Sequence, residues 1–192
     1  MDLEIRPLTP ETWVALDTLF DAGGDAKWCS CQFWRRPGIG WSREAAAQNR
    51  EALHAQLDDP LPPGLVAFRG GEAVGWVAVA PREGYPRLAR SRTIPQLPGE
   101  DVWAVTCFVV RRSARGTGVA AALLEAAVAF AFEHGAGLVE GYPVDNDGAH
   151  LPPGAAYTGT AAMFERTGFT VAAPTESRAR PDRPRVVMRQ DR

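Results

Sequence analysis

Arg111 to Ala120 reads Arg-Arg-Ser-Ala-Arg-Gly-Thr-Gly-Val-Ala, a composition suited to holding an anion. Glycine at 116 and 118 lets a ligand approach the backbone closely. If a helix opens just after Gly118, the amides of Gly116, Thr117, Gly118, Val119 and Ala120 lack intrahelical acceptors and carry the positive end of the macrodipole. Arg111, Arg112 and Arg115 add charge. Such a turn suits a pyrophosphate. The same residues fit a dinucleotide fingerprint, G-x-G-x-x-A, with Glu140 spaced for a ribose contact. That fingerprint wants its first glycine at the strand end, whereas Arg111 to Arg115 intervene here.

Other chemistry-bearing groups lie elsewhere. Trp28-Cys29-Ser30-Cys31-Gln32-Phe33-Trp34-Arg35 holds aromatic rings, thiols and a guanidinium within one short stretch. Trp28, Phe33 and Trp34 suit the wall of a pocket for an apolar or aromatic molecule, or equally a cap on the core. Two thiols one residue apart, with neither a matching pair nor a nearby His, make a weak zinc signal, and no metal is expected. Glu140, Asp145 and His150 are candidate bases; the plainer readings are an arginine partner, a turn former and a solvated loop residue. Tyr142 is placed either to hydrogen-bond a ligand or to pack. Cys107 lies in an apolar run and reads as a buried small hydrophobe.

These groups need elements to position them. Val102 to Val110, VWAVTCFVV, is rich in β-branched and aromatic residues and reads as a strand covered on both faces. Val119 to His134 has high helix propensity. Thr9-Pro10-Glu11 starts a helix expected to reach about Asp21, and Ser42 is placed to cap another through Leu57. Gly64–Phe68 and Ala73–Val79 flank a hairpin turn at Arg69-Gly70-Gly71-Glu72. Residues 81–100 read as loop, Leu138–Tyr142 as a strand and Gly159–Arg166 as a short helix closed by Gly168. Phe169–Ala172 and Val186–Arg189 read as the last strands, with Arg178, Arg180, Arg183 and Arg185 in a solvated basic tail.

The 192 residues, 45% hydrophobic and 23% charged, suit one compact domain, residues 1–192. A net charge of −2 gives no bias toward nucleic acid. Three cysteines argue against a disulfide framework and make a reducing cytoplasm the default. The start, MDLEIRPLT, lacks the charge and apolar pattern of a signal peptide, and no run approaches the roughly 20 residues of a membrane span.

Val110 to Leu124 resembles the coenzyme A-binding motif of the GNAT N-acetyltransferase superfamily: Arg or Gln, two residues, Gly, one residue, then Gly or Ala. Arg115, Gly118 and Ala120 match it. WCSCQFWR, GWVAVAPREGYPRLARSR, EGYPVD, TGTAAMFERTGF and RPRVVMR resemble landmarks of a large bacterial GNAT subfamily. The resemblance implies an α/β (α+β mixed-sheet) fold, a central mixed sheet of about six to seven strands flanked by about four helices. It also implies acetyl-CoA as co-substrate and says little about the acceptor; a small-molecule amine is the expectation, with a homodimer compatible and neither nucleic acid nor membrane involved. The segment joining the first helices would form part of the acceptor pocket.

Amine acetylation must remove a proton from the acceptor, stabilise an oxyanion and accommodate a departing thiolate. By resemblance, a backbone N–H at a bulge in the central strand, here about Val109, stabilises the oxyanion. Phe108 and Val110 would pair with pantetheine like an added strand. The family's usual tyrosine near the coenzyme sulfur falls at Phe164, and its strand glutamate at Ala104. Tyr157 would lie two turns earlier, about 10 Å along a helix, too far to substitute. Glu140 is then the candidate base, and the alternative is a non-catalytic acyl-CoA-binding sensor or scaffold.

Overall fold

The computed structural model describes residues 2–22, 24, 26–36, 43–149, 151–152 and 154–192. Ser42 and His150 lie outside them. A single seven-stranded sheet runs in the order β1-β2-β3-β4-β5-β7-β6. Its strands are β1 (Leu3–Pro7), β2 (Gly64–Arg69), β3 (Glu72–Pro81), β4 (Val102–Val110), β5 (Leu138–Gly141), β6 (Thr170–Arg180) and β7 (Arg183–Asp191). Only β4 and β5 pair in parallel; the other pairs are antiparallel.

The described helices are α1 (Pro10–Asp21), α2 (Ala26–Cys29), α3 (Arg43–Ala55), α4 (Pro86–Ala89), α5 (Val119–Glu133) and α6 (Ala161–Arg166). At the start of α1 the Thr9 N–H donates to Thr12 Oγ1 at 2.9 Å, beside Pro10 at the first helical position. Both satisfy amides or conformations a helix start would otherwise leave open. Residues 81–100 are not wholly loop: they hold a 3-10 turn at Arg82–Gly84 and α4. Pro86 opens α4 at a position where its missing N–H costs nothing.

Period-two alternation sorts the central strands onto two layers. Leu65, Ala67, Val77 and Val79 pack under α5 with Leu123, Leu124 and Ala127. Val66, Phe68, Trp76 and Ala78 pack on the other face with Leu16, Leu19 and Phe20 of α1 and Leu53 of α3. The expectation that both faces are covered holds.

The C-terminal strands are longer than the sequence suggested. β6 and β7 form an extended hairpin, and the Arg-rich segment is part of it rather than a solvated tail. Arg178 and Arg180 are exposed on the edge strand. Arg185 is buried, 5.4 Å from the Tyr157 ring, with its Nε donating to Thr158 Oγ1 at 3.4 Å. Alternation of charged and small residues hid a strand that buries one side only.

Candidate active site

The site begins with an irregularity in β4. Ala78 pairs with Cys107, but Val79 pairs with Val105, so Thr106 is an extra residue opposite β3. A bulge of this kind reverses which face the following side chains take. Trp103 and Val105 belong to the α5 layer, whereas Cys107 packs on the α1 layer. Phe108 returns to the α5 layer.

The bulge coincides with a separation of β4 from β5. Parallel pairing covers Val102–Val105 against Leu138–Gly141 and goes no further. Beyond it the Phe108 N–H donates to the Tyr157 carbonyl at 2.6 Å, and the Arg111 N–H donates to Val74 of β3 at 2.9 Å. Amides along a strand alternate in direction. Val109 therefore turns its N–H toward β3, while Val110, like Phe108, turns its amide into the gap. This corrects the sequence reading, which aimed Val109 at the reacting carbonyl.

A cavity of about 580 Å³ occupies the gap. Phe108, Val109 and Val110 line one wall, Cys29, Cys31, Phe33 and Trp34 another, and Leu151, Ala156, Tyr157 and Met163 close it. It borders a second cavity, of about 350 Å³, with which it shares the lining residues Val110, Arg115, Ala120, Thr160 and Met163. The second cavity is lined by Gly116, Gly118, Val119 and Arg166 among others. The two adjoining cavities together reach from the glycine turn to the aromatic wall.

At the turn, Gly116 and Gly118 have φ of 72° and 83°. L-residues rarely adopt this left-handed region. A Cβ at either would meet nothing within 4 Å. The first α5 bond is Ala122 N–H to Gly118 O at 3.0 Å, leaving the preceding amides without intrahelical acceptors. Arg115 lines both cavities with its Nε donating to Val110 O at 3.1 Å. Thr117 faces away from them: its hydroxyl donates to Ala114 O at 2.8 Å and accepts from Arg69. Open space, unpaired amides and an arginine are what a diphosphate requires.

The proposed acceptor residues divide. Phe33 and Trp34 line the cavity, their rings edge-to-face at 4.9 Å. Arg87 stacks on Phe33 at 4.2 Å and donates to its carbonyl, fixing that ring. Trp28 and Tyr142 are not among the lining residues. Trp28 lies under the Lys27 ammonium at 4.3 Å. Tyr142 is buried and its hydroxyl donates to Glu140 Oε2 at 2.7 Å; burial pushes this phenol well above its ordinary range, with the Glu140 charge adding to the effect.

Glu140 is also behind the wall. It is 2% exposed and accepts from Arg82 at 3.2 Å and from Arg189 Nε at 2.9 Å. A carboxylate this buried needs such partners, and the geometry gives it the ion-pair role rather than that of a base. The dinucleotide alternative loses its ribose contact by the same fact. Asp145 is exposed and its Oδ1 accepts from the Asp147 N–H at 3.4 Å, the geometry of a turn former.

Phe164 is fully buried between Phe108 and Phe169, with ring centroids 6.2 and 4.8 Å away. A Cβ on Gly141 would meet its ring at 2.0 Å, so that glycine makes room for it. Ala104 is likewise fully buried.

Tyr157 is the cavity residue that sequence reasoning excluded. The distance argument assumed a helix, but α6 begins only at Ala161. Tyr157 lies in the preceding turn, against β4 and 6.4 Å from the Phe33 ring. Burial raises its phenol above the ordinary value, and the Arg185 charge only partly offsets this. The phenol therefore stays protonated. Gly159, a helix breaker two residues after Tyr157, is the one signal in the sequence that separates this tyrosine from the helix.

Known proteins share the fold and the family of this chain. The profile of the Acetyltransferase (GNAT) family matches residues 28–150. Among solved structures, a GCN5-related N-acetyltransferase from Kribbella flavida is 17% identical, covers 99% of this chain and 98% of its own, and superposes with a TM-score of 0.60. An N-acetyltransferase from Staphylococcus aureus Mu50 is 15% identical over 100% of this chain and 99% of its own, with a TM-score of 0.60. An aminoglycoside acetyltransferase in complex with coenzyme A is 16% identical over 100% and 95%, with a TM-score of 0.59. At these identities the likeness is one of fold. No curated protein sequence matches the chain. Among the described residues no helix is long and apolar enough to cross a membrane. The chain belongs to the acetyltransferase (GNAT) family and is an enzyme of the acyltransferase class.

Proposed function

We propose that the protein transfers an acetyl group from acetyl-CoA to the primary amine of a small molecule, by direct attack while both are bound. The observation that carries this is the pair of adjoining cavities, with open space at the Gly116 and Gly118 backbone at one end and the Phe33–Trp34 wall at the other. In this reading Gly116 to Ala120 and Arg115 hold the diphosphate. The gap-facing amide of Val110 holds the pantetheine arm and the reacting carbonyl, with Phe108 beside it on the same strand. Phe33 and Trp34 receive an apolar or aromatic acceptor. Tyr157, protonated beside them, supplies a proton to the departing thiolate and is reprotonated by the proton the amine releases.

Residues 1–192 act as one domain in this reading, since β1 and β7 share one sheet. The EGYPVD and RPRVVMR landmarks support the subfamily, and the cytoplasm supplies the co-substrate. The test is thiol release from acetyl-CoA across a panel of small amines, with Gly118→Trp as the blocked control. Release by the wild type well above the control supports transfer. Equal rates on every amine reject it.

A further inference from the structure

Two thiols far apart in sequence meet in the cavity wall. Cys31 Sγ and Cys107 Sγ are 3.0 Å apart, and both residues line the larger cavity. Both are free thiols, 4% and 8% exposed. The separation exceeds a disulfide bond by only about 1 Å. Neither sulfur has a part in the proposed transfer.

The backbone is strained to bring them together. Ser30 and Cys31, directly after α2, have φ of 44° and 53°. Two successive non-glycine residues in the left-handed region persist only where the surroundings hold them, and such strain concentrates at functional positions. The β4 bulge at Thr106 makes the opposite contribution, turning Cys107 onto the face that Cys31 occupies. Trp76 then donates its Nε1–H to Cys31 Sγ at 3.0 Å, orienting that sulfur. A left-handed turn, a bulge and an indole thus converge on one pair of sulfur atoms.

We propose that Cys31 and Cys107 form a modification site, a dithiol that closes reversibly to a disulfide when a peroxide-class oxidant enters the larger cavity. The Cys107 sulfur, the more exposed of the two, attacks one peroxide oxygen. The O–O bond breaks, and a sulfenic acid and water result. The Cys31 sulfur then attacks the sulfenic sulfur, the S–S bond forms, and the hydroxyl departs with the Cys31 proton as a second water. Two thiols are oxidised, one peroxide is reduced to two waters, and a reducing thiol reverses the change. Burial, with Cys107 adding to it, holds the Cys31 thiol well above its ordinary range, so the first attack falls to Cys107.

The bond would tie the segment carrying Phe33 and Trp34 to β4, one residue before Phe108. The glycine turn, in the second cavity, is left as it is. The consequence for amine transfer rests on the proposed function; the bond itself does not.

The experiment exposes native protein to millimolar hydrogen peroxide, quenches it, and counts free thiols after denaturation. Three free thiols in the reduced chain fall to one. Peptide mapping finds residues 31 and 107 joined, with the mass lowered by two hydrogens, and dithiothreitol restores it. Cys31→Ser and Cys107→Ser each abolish the link, with Cys31→Ser stopping at the sulfenic acid on Cys107, whereas Cys29→Ser still forms it. Acetyl-CoA still raises the melting temperature of the oxidised wild type, while its amine turnover falls at least tenfold and returns on reduction. Thiols that stay free in the native protein, a link through Cys29, or a link that forms only in denaturant would each overturn the proposal. If acetyl-CoA fails to stabilise even the reduced protein, the transferase reading fails while the thiol count still decides this one.

Discussion

The Phe108 N–H donates to the Tyr157 carbonyl at 2.6 Å, at the edge of the gap where β4 leaves β5. This one bond places the Tyr157 ring at the cavity and orients the amides of the following residues. It links the strand that would hold the pantetheine arm to the turn that would supply a proton.

Tyr157→Phe removes the hydroxyl and keeps the ring. Turnover should fall by about 10²-fold, the low end for general acid–base catalysis, because a thiolate is already a fair leaving group. The acetyl-CoA dissociation constant should stay within about twofold. Steady-state kinetics with equilibrium titration checks both. Unchanged turnover would remove Tyr157 from the chemistry.

Glu140→Gln tests the opposite assignment. Glu140 is held by Arg82 and Arg189 away from the cavity. Removing one member of a buried ion pair typically costs about 3–5 kcal/mol. Urea unfolding should show a loss of that size. Stability kept with turnover lost would return Glu140 to the role of base.

Much of this arrangement was legible in the sequence. The apolar run at Val102–Val110 and the Ala/Leu-rich run after Gly118 fixed strand, turn and helix, because each has the periodicity or propensity of its element. The glycine turn followed from residue types alone. Other features leave no local trace. The Thr106 bulge is a one-residue change in register, defined only against β3. Cys31 and Cys107 meet across 76 positions. Tyr157 was misplaced because a helix was extended back through Gly159, where φ is 83°. Arg185 read as solvent-facing because its burial depends on the neighbouring turn at Thr158.

Phe164→Tyr tests whether restoring the family's usual tyrosine restores a proton donor. The ring is fully buried over Gly141. An added hydroxyl there should cost about 1–3 kcal/mol as an unsatisfied polar group. Turnover should not rise. A gain in rate would show that the ring reaches the thioester after all.

Stability should fall on the alkaline side. Burial raises Tyr85, Tyr142 and Tyr157 above their ordinary value and pushes Cys29 up to about 12. The unfolded chain releases these protons at lower pH than the folded one, so it binds fewer protons and stability declines as pH rises. The contribution is complete below the unfolded values, about 8.5 for cysteine and about 10 for tyrosine, and is lost above them. Urea midpoints should be level up to about pH 8 and drop progressively beyond it. Cys29→Ser should flatten the first part of that decline.

The most direct measurement is a crystal structure with acetyl-CoA bound. The account predicts the diphosphate on the amides of Gly116 to Ala120 beside Arg115, the pantetheine arm along Phe108 and Val110, and the thioester facing Phe33, Trp34 and Tyr157. A coenzyme seated elsewhere, with the glycine turn empty, would contradict it.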